Sequence, residues 1–559
     1  MVDEIKKIFK GEVVVDSQVL DKYSHDASLL EVMPEMVVYP HDSSDIQGLV
    51  KYVLENKDKK PNLSITVRAA GSCMAGSSLN ESIILDVMKH MGGITGFDGQ
   101  SVTVLPGTFY RDFEVETLKR NLILPCFTAS KNLNAIGGMI GNNSGGEKTL
   151  QYGKMENYIE TLKIVLSDGK EYEVEPLSKD GLKKKMEQND FEGSVYKKIF
   201  TLIESNKEEI EKARPTVSKN SAGYYIWNVL APDNEEVGNN KYFDLTKLIV
   251  GSEGTLGIVT EAKLKLVPVK KKSKLFVVFL KDLSPLADLV NEILVFKPES
   301  LESYDDATMK LAIRFFPEMV KSMKVKNFFK LLWSFLPEAW LIISGGVPKL
   351  IVLAEFSGDT DEEIDSQMGD LKNKLAHFRL KTHIAKTEEE SEKYWTIRRE
   401  SFNLLRKHVK GKRTAPFVDD VIVEPKYLPE FLPQMRAILD NYKLDYTIAG
   451  HAGNGNFHII PLMDMKDKKN VNIIMEVSEK IYDLVVRFHG SITAEHNDGI
   501  IRTPYLSKMF SPKMLEIFKE IKKIFDSRNI FNPGKKVPYE ILGKTMGDLE
   551  YLKNHLASK

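Results

Sequence analysis

The sequence predicts an α+β protein of two or three domains. Its 559 residues exceed what one ordinary hydrophobic core holds. Strand-like runs in the first half lead into three stretches rich in glycine and serine, whereas strands and helices alternate after about residue 270. We place a first domain at residues 1–270, with 1–35 as a helical lead-in, a second domain at 271–500, and a closing helical segment at 501–559.

Apolar alternation and turn residues mark the elements of the first domain in order. They predict strands at 36–40, 63–68 and 83–87, a strand pair around Gly99, and helices over about 43–55 and 109–120. A hairpin over 158–174 turns at Asp168-Gly169.

The three small-residue stretches are candidate ligand loops. The first runs from Ala69 to Leu79, where small side chains let the backbone approach an anion. The second has five glycines within residues 137–146, which predicts an irregular loop that is either mobile or shaped around a ligand. The third covers residues 251–261. Each alone is equally typical of a plain surface turn.

In the second domain, strands and helices alternate in split repeats. This pattern predicts a ferredoxin-like substrate cap built on one sheet. The predicted strands are 273–280, 350–356, 418–423 and 444–449, and the helices are 285–296, 361–378, 427–442 and 471–488. Residues 311–346 interrupt this order as an insertion. Lysines alternate with aromatic residues over 315–336, which favours a packed helix or a segment docking on a membrane surface or a partner.

The composition excludes several classes of protein. The 78 basic and 79 acidic residues leave a net charge of −1, so no global field favours nucleic acid. Two cysteines, Cys73 and Cys126, exclude a disulfide framework and an iron–sulfur cluster held by this chain alone. The first residues have no signal-peptide core, and the longest apolar run, 331–347, contains a proline and a glutamate. We therefore expect a cytoplasmic protein.

The residues 450–458 are the main candidate for chemistry. His451 and His458 flank a turn of glycines and asparagines, and apolar strand-like residues precede and follow them. About forty residues later Glu495 and His496 are adjacent. Two imidazoles and one carboxylate are a usual ligand set for a divalent metal such as Zn, Fe or Mn, and His496 would be free to move a proton. The alternative is a pair of structural histidines near a turn.

The three loops in this order resemble the FAD-binding domain of the vanillyl-alcohol-oxidase type, also called the PCMH type. With Trp395-Thr396-Ile397-Arg398, Phe417-Val418-Asp419-Asp420 and the histidine motifs, residues 20–540 resemble the FAD-dependent D-2-hydroxyacid dehydrogenases. That family includes the glycolate oxidase flavin subunit, D-lactate dehydrogenase and D-2-hydroxyglutarate dehydrogenase. The resemblance implies a C-terminal return to the FAD domain, and FAD bound without a covalent bond by Gly71, Ser72, Cys73, Gly76, Ser77, Ser130, Gly137, Gly138, Asn142, Ser144, Gly145, Gly254 and Ile258.

Residue chemistry and resemblance agree on one reaction. A small D-2-hydroxy acid, D-lactate-like or glycolate-like, binds the metal at His451, His458 and Glu495, while His496 takes the hydroxyl proton. Arg398 is the candidate clamp for the substrate carboxylate, and Arg502 is a weaker one. Phe402 and Ile460 are apolar at positions where the resemblance to the hydroxyglutarate enzymes implies polar substrate contacts, so a second substrate carboxylate would lack an obvious partner there.

Electrons would pass to a separate acceptor: an iron–sulfur protein, an electron-transferring flavoprotein or a quinone, with peripheral membrane contact as one arrangement.

Two other classes of function stay open, a flavin-dependent transferase like alkyl-dihydroxyacetone-phosphate synthase and a non-catalytic flavoprotein subunit. The sequence leaves the oligomeric state open.

Overall fold

The computed structural model describes residues 1–231, 242–315, 346–385, 387–408 and 411–556, and side chains are described for all of these except 400–408. Most of the predicted insertion, and with it the lysine- and aromatic-rich segment, lies outside the described residues. Its first residues complete a helix, Asp306–Arg314. Among the described helices, none combines the length and the apolar content needed to cross a membrane.

The N-terminal sheet has four strands in the order β1-β2-β4-β3, and β2, β4 and β3 are parallel. These are β1 Glu12–Val14, β2 Met36–Tyr39, β3 Ile65–Arg68 and β4 Ile83–Asp86. The helix Ser43–Asn56 connects β2 to β3, as expected for a parallel pairing. The lead-in is not purely helical. It contains β1 between the helices Val2–Ile8 and Ser17–Tyr23, and β1 pairs with β2.

A second sheet is antiparallel, with the order β5-β6-β10-β8-β9. Its strands are β5 Ile94–Asp98, β6 Ser101–Val104, β8 Ile159–Val165, β9 Glu171–Val174 and β10 Ile258–Lys265, and a short ladder joins β7 Leu122–Ile123 to β11 Val267–Pro268. The predicted hairpin is confirmed as β8–β9, with Gly169 at φ +74° in its turn. The predicted helix near 109–120 is Tyr110–Leu118.

The second half is built on one eight-stranded sheet, ordered β15-β12-β14-β13-β18-β19-β16 with β17 also on β19. The strands are β12 Lys272–Leu280, β13 Ser300–Asp305, β14 Leu350–Gly358, β15 Lys381–Ala385, β16 Arg413–Thr414, β17 Val421–Ile422, β18 Asp445–His451 and β19 Asn456–Met463. The strand predicted at 418–423 is thus shortened to two residues. Every pairing is antiparallel.

Helices cover both faces of this sheet. One face packs against Leu286–Val295, Asp361–Lys374, Leu428–Asn441 and Lys469–Arg487, and the other against Asp306–Arg314 and Glu388–His408. Because both faces are covered, β12 carries a continuous buried apolar run from Leu275 to Leu280 instead of an alternating pattern.

The C-terminal segment returns to the first half, as the fold class predicted. The helix Pro512–Phe525 packs against Phe191–Ser205. Asn532 accepts a hydrogen bond from Thr66 and donates to the carbonyls of Ser77 and Glu253. The segment ends with β20 Tyr539–Ile541, β21 Lys544–Met546 and the helix Leu549–His555.

Candidate active site

The three glycine-rich stretches line a single cavity. Ten of the thirteen residues predicted to hold the cofactor line it: Gly71, Ser72, Cys73, Ser77, Ser130, Gly137, Gly138, Asn142, Ser144 and Gly254. Their small side chains leave room for a ligand to approach the backbone closely.

Three predicted cofactor residues, Gly76, Gly145 and Ile258, do not line this cavity. Gly76 has φ +81°, and a Cβ there would strike an apolar side chain of the core. Gly145 lies beside the histidines, where a Cβ would come 3.4 Å from Glu495 Oε1. Ile258 is fully buried. Its neighbours on either side line the cavity instead, because successive residues of a strand point to opposite faces.

The second glycine-rich stretch is not irregular throughout, contrary to the prediction. It forms a short helix, Ile136–Asn142, that ends at Asn143 with a left-handed φ of +47°. Gly138 and Gly141 line the cavity. A Cβ at Gly141 would meet nothing within 4 Å, and one at Gly138 would meet only a Cβ at 3.5 Å. A larger side chain at either position would occupy the cavity, so the arrangement fits a ligand lying against the helix.

The predicted histidine hairpin is present as β18–β19. His451 is the last residue of β18, and His458 is the third residue of β19. The turn between them requires Gly455, which has φ +75° and whose Cβ would lie 1.8 Å from the carbonyl of Val423. Since the hairpin folds back on itself, both imidazoles reach one point.

The donor atoms of His451, His458 and Glu495 converge. His451 Nε2 lies 3.4 Å from His458 Nε2 and 3.3 Å from Glu495 Oε2. His458 Nε2 lies 3.9 Å from Glu495 Oε2. Ligands of a tetrahedral metal with bonds of about 2.1 Å are about 3.4 Å apart. The spacing therefore fits a divalent metal such as zinc.

The outer nitrogens of the two rings support the same fit. His451 Nδ1 lies 2.6 Å from Glu302 Oε1, and His458 Nδ1 lies 3.0 Å from Asp419 Oδ1. A carboxylate accepts, so each Nδ1 donates and each Nε2 presents a lone pair. Two lone pairs and a carboxylate oxygen then face one another, an arrangement that a cation between them stabilises. Neither Glu302 nor Asp419 was predicted as a site residue, because each lies far from the histidines in sequence.

Asp420 belongs to a second set of donors, with His458, Glu495 and His496, whose ligand atoms lie within 4.8 Å of one another. Its Oδ2, however, already accepts from the backbone N–H groups of Glu495 and His496 at 2.7 Å each and from the Thr493 hydroxyl. Asp420 also has φ +77°, a strained conformation for a non-glycine residue. We therefore assign Asp420 to shaping the loop that carries Glu495.

His496 connects the two parts of the site. It lines the glycine cavity, and its ring stacks on His458 with centroids 5.1 Å apart. Its Nδ1 lies 2.8 Å from Asp419 Oδ2. Burial lowers the pKa of His496, but the charges of Asp419 and Asp420 outweigh it and raise the pKa to about 9. Burial would raise the pKa of Asp419, yet His496 and His458 hold it well below its usual range.

Arg398 lies in the site, held between two carboxylates. It contacts Glu302 Oε2, and its Nη1 lies 3.7 Å from Glu147 Oε1. Arg399 makes a bidentate pair with the same Glu147, at 2.9 and 2.6 Å. Both arginines thus turn toward one carboxylate. Burial opposes the charge of Glu147, but Arg399 and Arg398 lower its pKa to about 2.

Two further cations hold the loop that carries Glu495. Lys219, which is buried, donates to Glu495 Oε1 at 2.6 Å and leaves Oε2 to the imidazoles. Arg502 is fully buried and donates to the carbonyls of Asn497 and Asp419. These bonds tie Arg502 to the loop, so it is not placed as a clamp for an incoming carboxylate.

Two family models match this chain. The FAD binding domain model covers residues 34–175, and the model for the C-terminal domain of FAD linked oxidases covers residues 269–536. The chain therefore carries an FAD-binding domain and a C-terminal domain of the FAD-linked oxidase type, and these domains support binding of FAD.

Two relatives are similar to this chain over most of its length. D-2-Hydroxyglutarate dehydrogenase of Pseudomonas putida is 27% identical over 535 residues, which cover 94% of this chain and 50% of the relative. The chain thus spans about half the length of that relative. The glycolate oxidase subunit GlcD of Bacillus subtilis is 25% identical, covering 92% of this chain and 91% of the relative. The solved structure of p-cresol methylhydroxylase shares the fold, with a TM-score of 0.66, 15% identity and 96% of each chain covered. The predicted PCMH-type fold is confirmed.

Proposed function

We propose that this chain oxidises a D-2-hydroxy acid, D-lactate-like or glycolate-like, to the 2-oxo acid. In this proposal residues 1–270, with 501–559, hold FAD, and 271–500 supply the substrate site. One observation carries it: His496 lines the glycine cavity and shares Asp419 with His458 of the donor cluster. A substrate between the two parts would therefore meet a proton acceptor and the donor cluster at once.

FAD and the metal would each be held by a separate set of residues. FAD would lie against the ten cavity-lining residues named above, and a divalent metal would be held by His451, His458 and Glu495. When bound, FAD supplies a two-electron acceptor and the metal a Lewis acid that acidifies a hydroxyl. The protein supplies the proton acceptor. Because His496 Nδ1 faces Asp419, its Nε2 is the atom that would receive the hydroxyl proton. A divalent cation held beside the ring would disfavour the imidazolium that the buried carboxylates otherwise favour, so that the ring could start neutral. The negative Asp419 would then stabilise the imidazolium formed by the transfer.

Arg398 would orient the substrate carboxylate. A guanidinium has five N–H donors, so Arg398 can keep Glu302 and still donate to a substrate oxygen. Two buried carboxylates, Glu147 and Glu302, flank Arg398 and disfavour a second carboxylate on the substrate. Ile460, half-buried on β19, adds no polar partner. The side chain of Phe402 lies outside the described residues. These features favour a monocarboxylate.

The FAD would be held without a covalent bond. Cys126 is fully buried in the apolar core and does not line the cavity, and burial raises its pKa. Cys73 lines the cavity, but burial raises the pKa of its thiol to about 11, so little thiolate is present at neutral pH. Acid precipitation should therefore release all the flavin to the supernatant. Yellow colour kept in the pellet would contradict this.

The test of the reaction is flavin bleaching. Purified protein is mixed without oxygen with D-lactate, glycolate and D-2-hydroxyglutarate in turn, and the flavin absorbance is followed. We expect D-lactate or glycolate to reduce the flavin, and D-2-hydroxyglutarate to do so more slowly. No bleaching with any of the three would refute the proposal. Reduced flavin that reoxidises slowly in air, but fast with a quinone or an electron-transferring flavoprotein, supports a separate acceptor.

A further inference from the structure

Asp419 lies against the Nδ1 atoms of two of the three histidines, on the side of the rings that faces away from Glu495. Its Oδ1 lies 3.0 Å from His458 Nδ1, and its Oδ2 lies 2.8 Å from His496 Nδ1. The side chain is fully buried. The two rings it joins are nearly parallel, at 18°. One carboxylate thus fixes both rings on the same side.

The backbone holds Asp419 in this position. The left-handed φ of Asp420, +77°, lets two consecutive carboxylates serve different partners. Asp420 accepts from the loop backbone at Glu495 and His496, while Asp419 reaches the outer nitrogens of the rings. Arg502 donates to the carbonyl of Asp419. Ring orientation is therefore set by a rigid, buried unit.

We propose that Asp419 is a positioning residue shared by the metal ligand and the proton acceptor, an inference that rests on the proposed function. Asp419 hydrogen-bonds His458 Nδ1 and forms a close ion pair with His496 Nδ1, so it favours a proton on the Nδ1 of each ring. His458 Nε2 then faces the donor cluster, and His496 Nε2 faces the hydroxyl whose proton it takes. Asp419 thereby couples the geometry of metal binding to the geometry of proton transfer.

The test compares D419N with E302Q. Both replace a carboxylate that accepts from a predicted ligand histidine, but only Asp419 also contacts His496. Zinc affinity of the metal-free protein is measured by competition with a chromophoric chelator. Anaerobic flavin reduction by the best substrate is then measured with zinc restored, in H2O and in D2O. Losing such a partner weakens metal binding about 10- to 100-fold, which we expect for both variants.

The two variants should differ in the second measurement. In D419N we expect flavin reduction to fall about 10²- to 10⁴-fold with zinc restored, and a solvent isotope effect to appear, because proton transfer has become limiting. In E302Q we expect no new solvent isotope effect. D419E, which keeps the charge, should recover part of both properties. D419N with wild-type zinc affinity, or with the same isotope effect as E302Q, would overturn the proposal.

A measurement on the wild-type protein covers the case in which D419N does not fold. With ¹⁵N-histidine labelling, the Nδ1 protons of His458 and His496 should give two low-field resonances, since each Nδ1 lies within 3.0 Å of an Asp419 oxygen. H458A should remove one of them and H496A the other. Absence of both in the wild type would refute the shared contact. These spectra need no substrate, so a failure of the proposed reaction leaves the test of Asp419 intact.

Discussion

The two parts of the site, the FAD cavity and the cluster around the three histidines, are lined by different kinds of residue. The FAD cavity is lined by glycines, small side chains and backbone, and among the described residues only one carboxylate, Glu253, lines it. Around the three histidines, by contrast, lie the buried carboxylates Glu302, Asp419, Asp420 and Glu495. The shape of the cavity thus depends on side-chain volume, whereas the cluster depends on the charges of its side chains and on the directions of their contacts. Substitutions that change volume should damage the first, and those that remove a donor should damage the second.

The largest effect is expected from His458→Ala. It removes a predicted metal ligand and the ring that stacks on His496, while leaving the glycine cavity intact. Losing Lewis-acid assistance worth several kcal/mol corresponds to a fall of about 10³-fold or more in flavin reduction. Metal content, measured by elemental analysis, should fall with it, whereas the flavin spectrum should persist.

His496→Ala is the matched variant for that experiment. It should lose activity but keep its metal, which separates a proton acceptor from a ligand. If His458→Ala keeps near-normal turnover after chelation, the metal-assisted reaction is wrong.

The reverse effect is expected from Gly141→Leu. A side chain at Gly141 would enter the cavity, so we expect FAD affinity to fall about 100-fold while metal binding is kept. Gly369→Leu is the control. This glycine lies in the helix Asp361–Lys374, and a Cβ there also meets nothing within 4 Å, but it lies outside the cavity. FAD affinity is measured by flavin fluorescence after reconstitution. Equal loss in both variants would show that helix destabilisation, and not volume, is responsible.

The same contrast explains what the sequence could predict. Local patterns found three of the four strands of the N-terminal sheet, the hairpin β8–β9 and the histidine hairpin, because turn residues and alternation act over a few residues. The strand β1 was missed within the predicted helical lead-in. The helix Ile136–Asn142 was missed, since packing of its apolar residues overrides the low helix propensity of glycine. In the cavity, Ile258 was placed one residue out of register, because its neighbours Gly257 and Val259 line the cavity instead.

The cluster was only half predictable. His451, His458, Glu495 and His496 stand out as short motifs, and the structure brings them together. Their carboxylate partners lie far away in sequence. Asp419 is 39 residues from His458, and Glu302 is 149 residues from His451. No local rule marks such partners. The adjacent acids Asp419 and Asp420 in an apolar run were the only available signal.

The smallest effect concerns Glu355, on β14 at the border between the two parts. Burial raises the pKa of Glu355 to about 7, with Lys148 opposing and Glu299 and Glu147 adding to the rise. In the unfolded chain the value is 4.5. The folded state therefore holds this proton more tightly, so stability is lost as the pH rises from about 4.5 to about 7, and the loss is complete above that.

Glu355→Gln removes the ionisation, so we expect it to stabilise the protein by about 1–2 kcal/mol at pH 8 and by less at pH 5. Thermal unfolding at both pH values measures the difference, and Glu362→Gln, at an exposed position on the next helix, is the control. A gain that is the same at pH 5 and pH 8 would mean that shape and not charge governs this position.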